Sequence, residues 1–159
     1  MVNSEQWIAA MGIGVGATLV MDGWSAVSRR LGATTLDYAL VGRWAGHALQ
    51  GHWRHQAIRQ APPIKHERVW GWALHYAIGV AFAMLLVTTA GVAWLSAPTL
   101  WPALAVGAGT VLAPMCLMQP AMGMGFFASR TPSPWRARFK SLVNHMVFGI
   151  GLYVTALAL

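Results

Sequence analysis

The chain has 159 residues, of which 57% are hydrophobic and only 9% charged, where a soluble domain carries about a quarter charged residues. Eleven Lys or Arg stand against four Asp or Glu. Together with the single cysteine, Cys116, these figures exclude a disordered chain, a disulfide scaffold and a water-soluble domain, and they point to a membrane protein.

The first predicted element covers residues 6–28. It holds one charge, Asp22, and stops at Arg29-Arg30. No basic leader or small-residue cleavage site precedes it, so it reads as a retained span rather than a signal peptide. Residues 31–67 are too long for a simple loop. Thr35 is placed to cap a helix there, with Asp37 in the first turn. Leu36, Leu40, Trp44, Ala48 and Leu49 would share its apolar face, with Arg43, Gln50 and Arg54 away from it. This predicts an amphipathic helix lying in the headgroup region and ending before Pro62-Pro63. His47, His52, His55 and His66 fall in the same segment, and His52 and His55 make an H-x-x-H pair. Such a pair can mark a metal or proton site, but histidines on the water-facing side of an amphipathic helix are the commoner case.

Between Arg68 and Arg130 lie 61 residues without a single charge. A bilayer crossing needs about 20 helical residues, so this stretch predicts two spans, 69–93 and 100–127. Gly91 and Ser96-Ala97-Pro98-Thr99 mark the turn between them, flanked by Trp94 and Trp101 as interfacial anchors. Thr131-Pro132-Ser133-Pro134 reads as a rigid turn, with Trp135 and the basic residues after it anchoring a last span over 141–159. The expected fold is an all-α bundle of four transmembrane helices with a cytoplasmic interfacial helix between spans one and two, forming one integral membrane domain over 1–159. Every basic residue falls in the first or third connection. By the positive-inside rule that side is cytoplasmic, and both termini face the other way. The same charge distribution suits anionic lipid headgroups of the bilayer and gives no reason to expect nucleic acid.

Ionisable groups within a span are costly, and three are present: Asp22, His75 and His145. Asp22 precedes Arg29 by seven residues, His75 follows Arg68 by seven, and His145 follows Lys140 by five. At ~1.5 Å per residue all three lie roughly 7–11 Å inside the cytoplasmic boundary. Asn144 adjoins His145, and Gln119 lies somewhat deeper. Small residues spaced by four share their faces: Gly14, Thr18 and Ala26 with Asp22; Gly71, Gly79 and Ala83 with His75; Gly149 with His145. These stripes predict close helix contacts and an inward-facing polar site built from Asp22, His75, Gln119, Asn144 and His145. The alternative is interhelical hydrogen bonding with no ligand.

The third span is irregular. Pro114 and Pro120 each remove a backbone donor, and broken helices often line transporter sites. Methionines crowd the segment 115–124, with Cys116 among them. Thioether and imidazole donors would suit Cu(I), and Asp22, His75, His145 and Met118 are the metal-ligand candidates; methionine filling gaps around prolines is the plainer explanation.

Several separated motifs resemble one family. They are the run Gly14 to Asp22, the run Leu36 to Trp44 followed by Gly46-His47, Ala113-Pro114 with Leu117-Met118-Gln119-Pro120, and Gly123-x-Gly125 with Ala128-Ser129-Arg130-Thr131-Pro132. Together they resemble small bacterial inner-membrane proteins catalogued as a domain of unknown function, over nearly the whole chain. The resemblance implies a bacterial polytopic inner-membrane protein and carries no catalytic residue, substrate or cofactor with it; in such a membrane the charge distribution puts both termini in the periplasm.

Three functional classes follow. The first binds or transports a small ligand, proton or metal ion at the polar layer. The second is a redox protein, with His75 and His145 as axial ligands to a b-type haem or to a metal. The third is an accessory subunit with no site chemistry. Either a homo-oligomer or a larger membrane partner would suit a bundle this small. Hydrolase and nucleotide motifs are absent, and so is an intramembrane Glu for a di-iron centre.

Overall fold

The computed structural model describes residues 3–159. Among the described residues the chain is helical and contains no strand. Four helices are long and apolar enough to cross a membrane: Ser4–Arg30, Glu67–Ala90, Leu100–Ala121 and Pro134–Ala158. The chain is a multi-pass membrane protein. Its apolar side chains fit a lipid surround: Ile8, Leu19, Val69, Leu117 and Leu157 are each more than half exposed.

Helix α1 (Ser4–Arg30) begins at a capping box. The Asn3 side chain accepts from the Gln6 amide at 2.9 Å, and the Gln6 side chain accepts from the Asn3 amide at 2.9 Å. It ends on Gly32 at φ +83°, where the Gly32 and Ala33 amides donate back to the Arg29 and Ser28 carbonyls. That pairing closes the last turn in the manner glycine permits. Helix α2 (Tyr38–Leu49) is capped by Asp37, whose side chain accepts from the Ala39 amide at 3.0 Å. Thr35 is not the cap; its hydroxyl accepts from Arg29 instead. Asp37 wins because its carboxylate reaches the second helical amide and complements the helix dipole.

Helix α3 (Glu67–Ala90) stops at Gly91, and a single turn, α4 (Ala93–Ser96), follows. Trp94 is not an interfacial anchor: it is 5% exposed and packs in the core, its indole N–H donating to the Thr99 carbonyl at 3.0 Å. Trp101 is 79% exposed, as an anchor should be. The third spanning helix begins as α5 (Leu100–Thr110), widens to a π-helical segment at Pro114–Met118 and finishes as α6 (Gln119–Ala121). The widening lies between the two prolines that each withdraw a backbone donor. This helix ends at 121 rather than 127, because Gly123 and Gly125 take positive φ and turn the chain. Helix α7 (Pro134–Ala158) starts well before residue 141. Pro134 occupies its first turn, where a missing N–H costs nothing, so the basic stretch after it is helical rather than part of the turn.

Contacts group the chain into two compact units. The first takes in the chain up to Thr35 together with Tyr76–Thr110 and Leu142–Leu159, and the second takes in Leu36–His75 and Val111–Ser141. In the first unit, α1, the later part of α3, α5 and α7 pack around Ile13, Ala17, Leu86, Phe148 and Leu152. Small residues carry the helix crossings. A Cβ on Gly14 would fall 2.6 Å from Val80 Cα, one on Gly107 would fall 2.6 Å from the His145 carbonyl, and one on Gly151 would fall 2.9 Å from Ala17 Cα. Close backbone approach of this kind is how helices associate where no hydrophobic force separates them from lipid.

The second unit has a smaller core of Leu40, Ile58 and Met122, flanked by Trp44, Met118 and Met124. The face of α2 assigned to lipid headgroups is therefore largely used inside the protein: Leu40 and Ala48 are buried, while Leu36 and Leu49 remain exposed. Gly42 and Gly71 let α2 and the start of α3 touch backbone to backbone.

Candidate functional site

The predicted polar residues divide between the two units. Asp22, Asn144 and His145 belong to the first, His75 and Gln119 to the second.

In the first unit each polar group meets a partner on another helix. The Tyr76 hydroxyl on α3 donates to Asp22 Oδ2 on α1 at 2.9 Å. Trp24 Nε1 on α1 donates to Asn144 Oδ1 on α7 at 3.1 Å. His145 Nδ1 on α7 lies 2.9 Å from the Thr110 hydroxyl on α5. That hydroxyl already gives its proton to the Gly107 carbonyl at 2.8 Å, so it accepts from His145. The neutral imidazole then carries its proton on Nδ1.

The helix register puts these groups at one level. Ala17 opposes Gly151 and Trp24 opposes Asn144, so α1 and α7 run antiparallel. Val80 opposes Gly14 and Tyr76 opposes Asp22, which orders α1 and α3 the same way. Ala103 opposes Gly149 and Thr110 opposes His145, ordering α5 and α7. Asp22, Tyr76, Asn144, His145 and Thr110 therefore lie within about a turn of one another along the bundle. Asp22, Tyr76, Asn144 and His145 are all half-buried.

In the second unit, His75 sits among aromatic rings. Tyr38 stacks on it with centroids 4.2 Å apart, and Trp72 meets it edge-on at 5.7 Å. His75 Nε2 is 3.1 Å from the Tyr38 hydroxyl, so the nitrogen an axial haem ligand would use is already engaged. The Gln119 side-chain oxygen is buried with no hydrogen-bond partner among the described residues. Met118 packs beside Leu40, Ile58 and Met122, in the gap-filling role of a methionine near prolines. Among the described residues no three His, Cys, Asp or Glu side chains converge to hold a metal ion.

A polar latch in the second unit was not foreseen. Arg43 forks onto Glu67, Nε to Oε2 and Nη2 to Oε1, both at 2.8 Å. Its remaining nitrogen donates to the Ala61 and Arg59 carbonyls at 3.1 and 3.3 Å. The Glu67 hydrogen bond holds the guanidinium above its ordinary pKa. The helix pattern places Arg43 only as a residue away from the apolar face, yet the sequence holds a signal: with four acidic residues in the chain, each is worth matching with a base. Tyr76, Thr110, Trp24 and Tyr38 complete the other pairs and carry no distinct signal in the sequence, because hydroxyls and indoles are common in spans for other reasons.

His47, His52 and His55 line a cleft of about 540 Å³ together with Arg54, Gln56 and Gln60. His66 lies outside it, at φ +60° before α3. Burial, and then the neighbouring His47, push the His55 pKa below its ordinary value.

A family model described as a protein of unknown function, DUF2938, matches residues 11–159. The chain belongs to the DUF2938 family. No curated protein and no solved structure matches it. The run from Gly14 to Asp22, one of the motifs that carry the family resemblance, holds both the glycine of the α1–α3 crossing and the carboxylate of the polar level in this DUF2938 chain.

Proposed function

We propose that this DUF2938 member is a bacterial inner-membrane protein that binds a proton at the polar level of its first unit, and passes it through the membrane. Asp22 is the binding group. Tyr76 orients its carboxylate, and the imidazole of His145 is the second group able to carry a proton. Thr110 and Asn144 hold that level in register. The observation that carries this reading is the Asp22–Tyr76 hydrogen bond within spanning helices, at the level of two further cross-helix polar pairs. A carboxylate there is costly and is usually retained for ion or proton handling. His75 and Gln119 are left out of this site. The basic connections face the cytoplasm and both termini the periplasm, which reporter fusions at each end would check.

Asp22→Asn separates this reading from its competitor. Each polar pair here is also a helix fastening, which favours a purely structural role as the second reading. Asparagine can still accept from Tyr76 but has no charge to offer a cation and no proton to exchange. In proteoliposomes carrying a pH-sensitive dye and a potassium diffusion potential, the wild-type chain should acidify the lumen and Asp22→Asn should not. Equal flux from both, or none from either, would reject the transport reading and leave the fastening one.

A further inference from the structure

We infer that the cleft beyond the end of α2 binds the headgroup of an anionic glycerophospholipid such as phosphatidylglycerol, with Arg54 on the phosphate and glutamine amides on the glycerol hydroxyls. The inference stands apart from the intramembrane reading and uses none of its residues. The cleft's volume of about 540 Å³ is that of a small-ligand site, and Arg54, Gln50, Gln56 and Gln60 line it beside the histidines. No acidic side chain lines it among the described residues. Glu67, the carboxylate close enough to feel His47, is forked onto Arg43 through both oxygens. Arg54 pairs with no carboxylate among the described residues, which leaves its planar fork open to a phosphate. Each glutamine amide both donates and accepts, as a glycerol hydroxyl does. A choline headgroup would instead set a second cation against Arg54. The histidines favour an anion too: after burial, the charges of His47 and His52 hold His55 below its ordinary pKa, so the cleft resists gathering positive charge.

Position and apolar exposure make the ligand a lipid. The His55 amide donates to the carbonyl of Ala121 at 2.8 Å, and Ala121 is the last residue of the spanning helix Leu100–Ala121. Pro62, which lines the cleft, stands just ahead of α3, the spanning helix that opens at Glu67. The cleft therefore lies where spanning helices leave the membrane. Leu49 and Trp53, each next in sequence to a lining residue, are 90% and 62% exposed. Trp53 is held there: its carbonyl accepts from the Trp44 indole at 3.0 Å, and the two rings meet edge-on. Apolar side chains this exposed, beside a cationic cleft, match a molecule with a charged head and an apolar tail. The C-terminal dipoles of α2 and α6 oppose an anion, but their last carbonyls are already engaged. Those of His47 and Ala48 accept from the Gln50, Gly51 and His52 amides, and that of Ala121 accepts from His55.

The test uses the full chain in detergent, titrated with phosphatidylglycerol or phosphatidylcholine and read by native mass spectrometry. Phosphatidylglycerol should bind the more tightly. Arg54→Gln should weaken it by about tenfold, the effect of one charge-assisted contact, while Arg130→Gln, which removes the same charge from an exposed position outside the cleft, leaves it unchanged. Leu49→Ser, at a position too exposed to disturb the fold, should weaken binding severalfold. Glycerol 3-phosphate at the same concentration should not displace the lipid. A second readout needs no variant: hydrogen exchange in the peptide covering 50–60 should slow with phosphatidylglycerol and not with phosphatidylcholine. Equal affinity for the two lipids, equal losses in Arg54→Gln and Arg130→Gln, or exchange unmoved by either lipid would overturn the site. Displacement by glycerol 3-phosphate, or unchanged affinity in Leu49→Ser, would overturn the lipid as its source and leave a soluble phosphate ester.

Discussion

The two units of this protein are held together by different physics. In the first, backbone hydrogen bonds are spent inside long helices, and cohesion comes from glycine-mediated crossings plus one-to-one polar pairs. In the second, turns leave carbonyls that the helices do not use, and side chains or distant amides reach for them. Arg43 takes Ala61, His47 takes Pro62, Trp44 takes Trp53, Arg138 takes Phe127, and the His55 and Ile58 amides take Ala121 and Met122. Packing that repeats every four residues is written along a helix. A fold made by side chains capping stray carbonyls is not, because any donor of the right length could serve.

This contrast can be broken first at Arg43. Arg43→Ala should cost about 2–4 kcal/mol, since it strands Glu67 and two carbonyls at once. The cost should fall on the second unit, with hydrogen exchange rising at the Ile58 amide while amides around Leu152 keep their protection. Uniform loss of protection along the chain would mean the units are one cooperative block. The matching blow to the first unit is Gly107→Ala, whose methyl would press on the His145 carbonyl. An overpacked crossing costs about 1–3 kcal/mol, read as a lower melting temperature in detergent with Arg43-dependent protection unchanged.

A smaller effect is expected from Tyr76→Phe. Removing one interhelical hydrogen bond should cost about 1 kcal/mol. Its stability loss should vanish when Asp22 is also replaced by Leu, because the pair then has nothing left to satisfy. Additive losses would show that Tyr76 acts through packing. The gentlest probe is pH. His55 has a lowered pKa in the folded chain, with burial first and His47 and His52 adding to it. The unfolded chain therefore binds its proton first. The stability His55 contributes is complete above the ordinary imidazole value of about 6.5 and is lost as pH falls through the folded value. Exchange at the Ile58 amide should quicken on acidification through that window in wild type and less so in His55→Gln.

The same contrast explains what could be read from sequence. The spans were legible because charge exclusion from a bilayer leaves no alternative, and the glycine stripes through Gly14, Gly79 and Gly149 mark real crossings. Helix ends were less legible. Charge marks where water begins, not where a helix stops, so α7 starts at Pro134, ahead of its basic residues. Asp22, Asn144 and His145 were identifiable as costly groups, but their partners Tyr76, Trp24 and Thr110 were not, because hydroxyls and indoles are common in spans for other reasons. In the second unit the Arg43–Glu67 latch and the burial of the α2 face depend on how residues 50–67 return, which no periodicity records.

Asp22 is the group on which the functional reading turns. Infrared difference spectroscopy of the membrane-reconstituted chain, recorded with and without an imposed proton gradient, reports its protonation directly. A protonated-carboxyl C=O band should appear in wild type, shift in Tyr76→Phe as the hydrogen bond is lost, and disappear in Asp22→Asn. A spectrum identical in wild type and Asp22→Asn would show that this carboxylate exchanges no proton, and would contradict the proposed site.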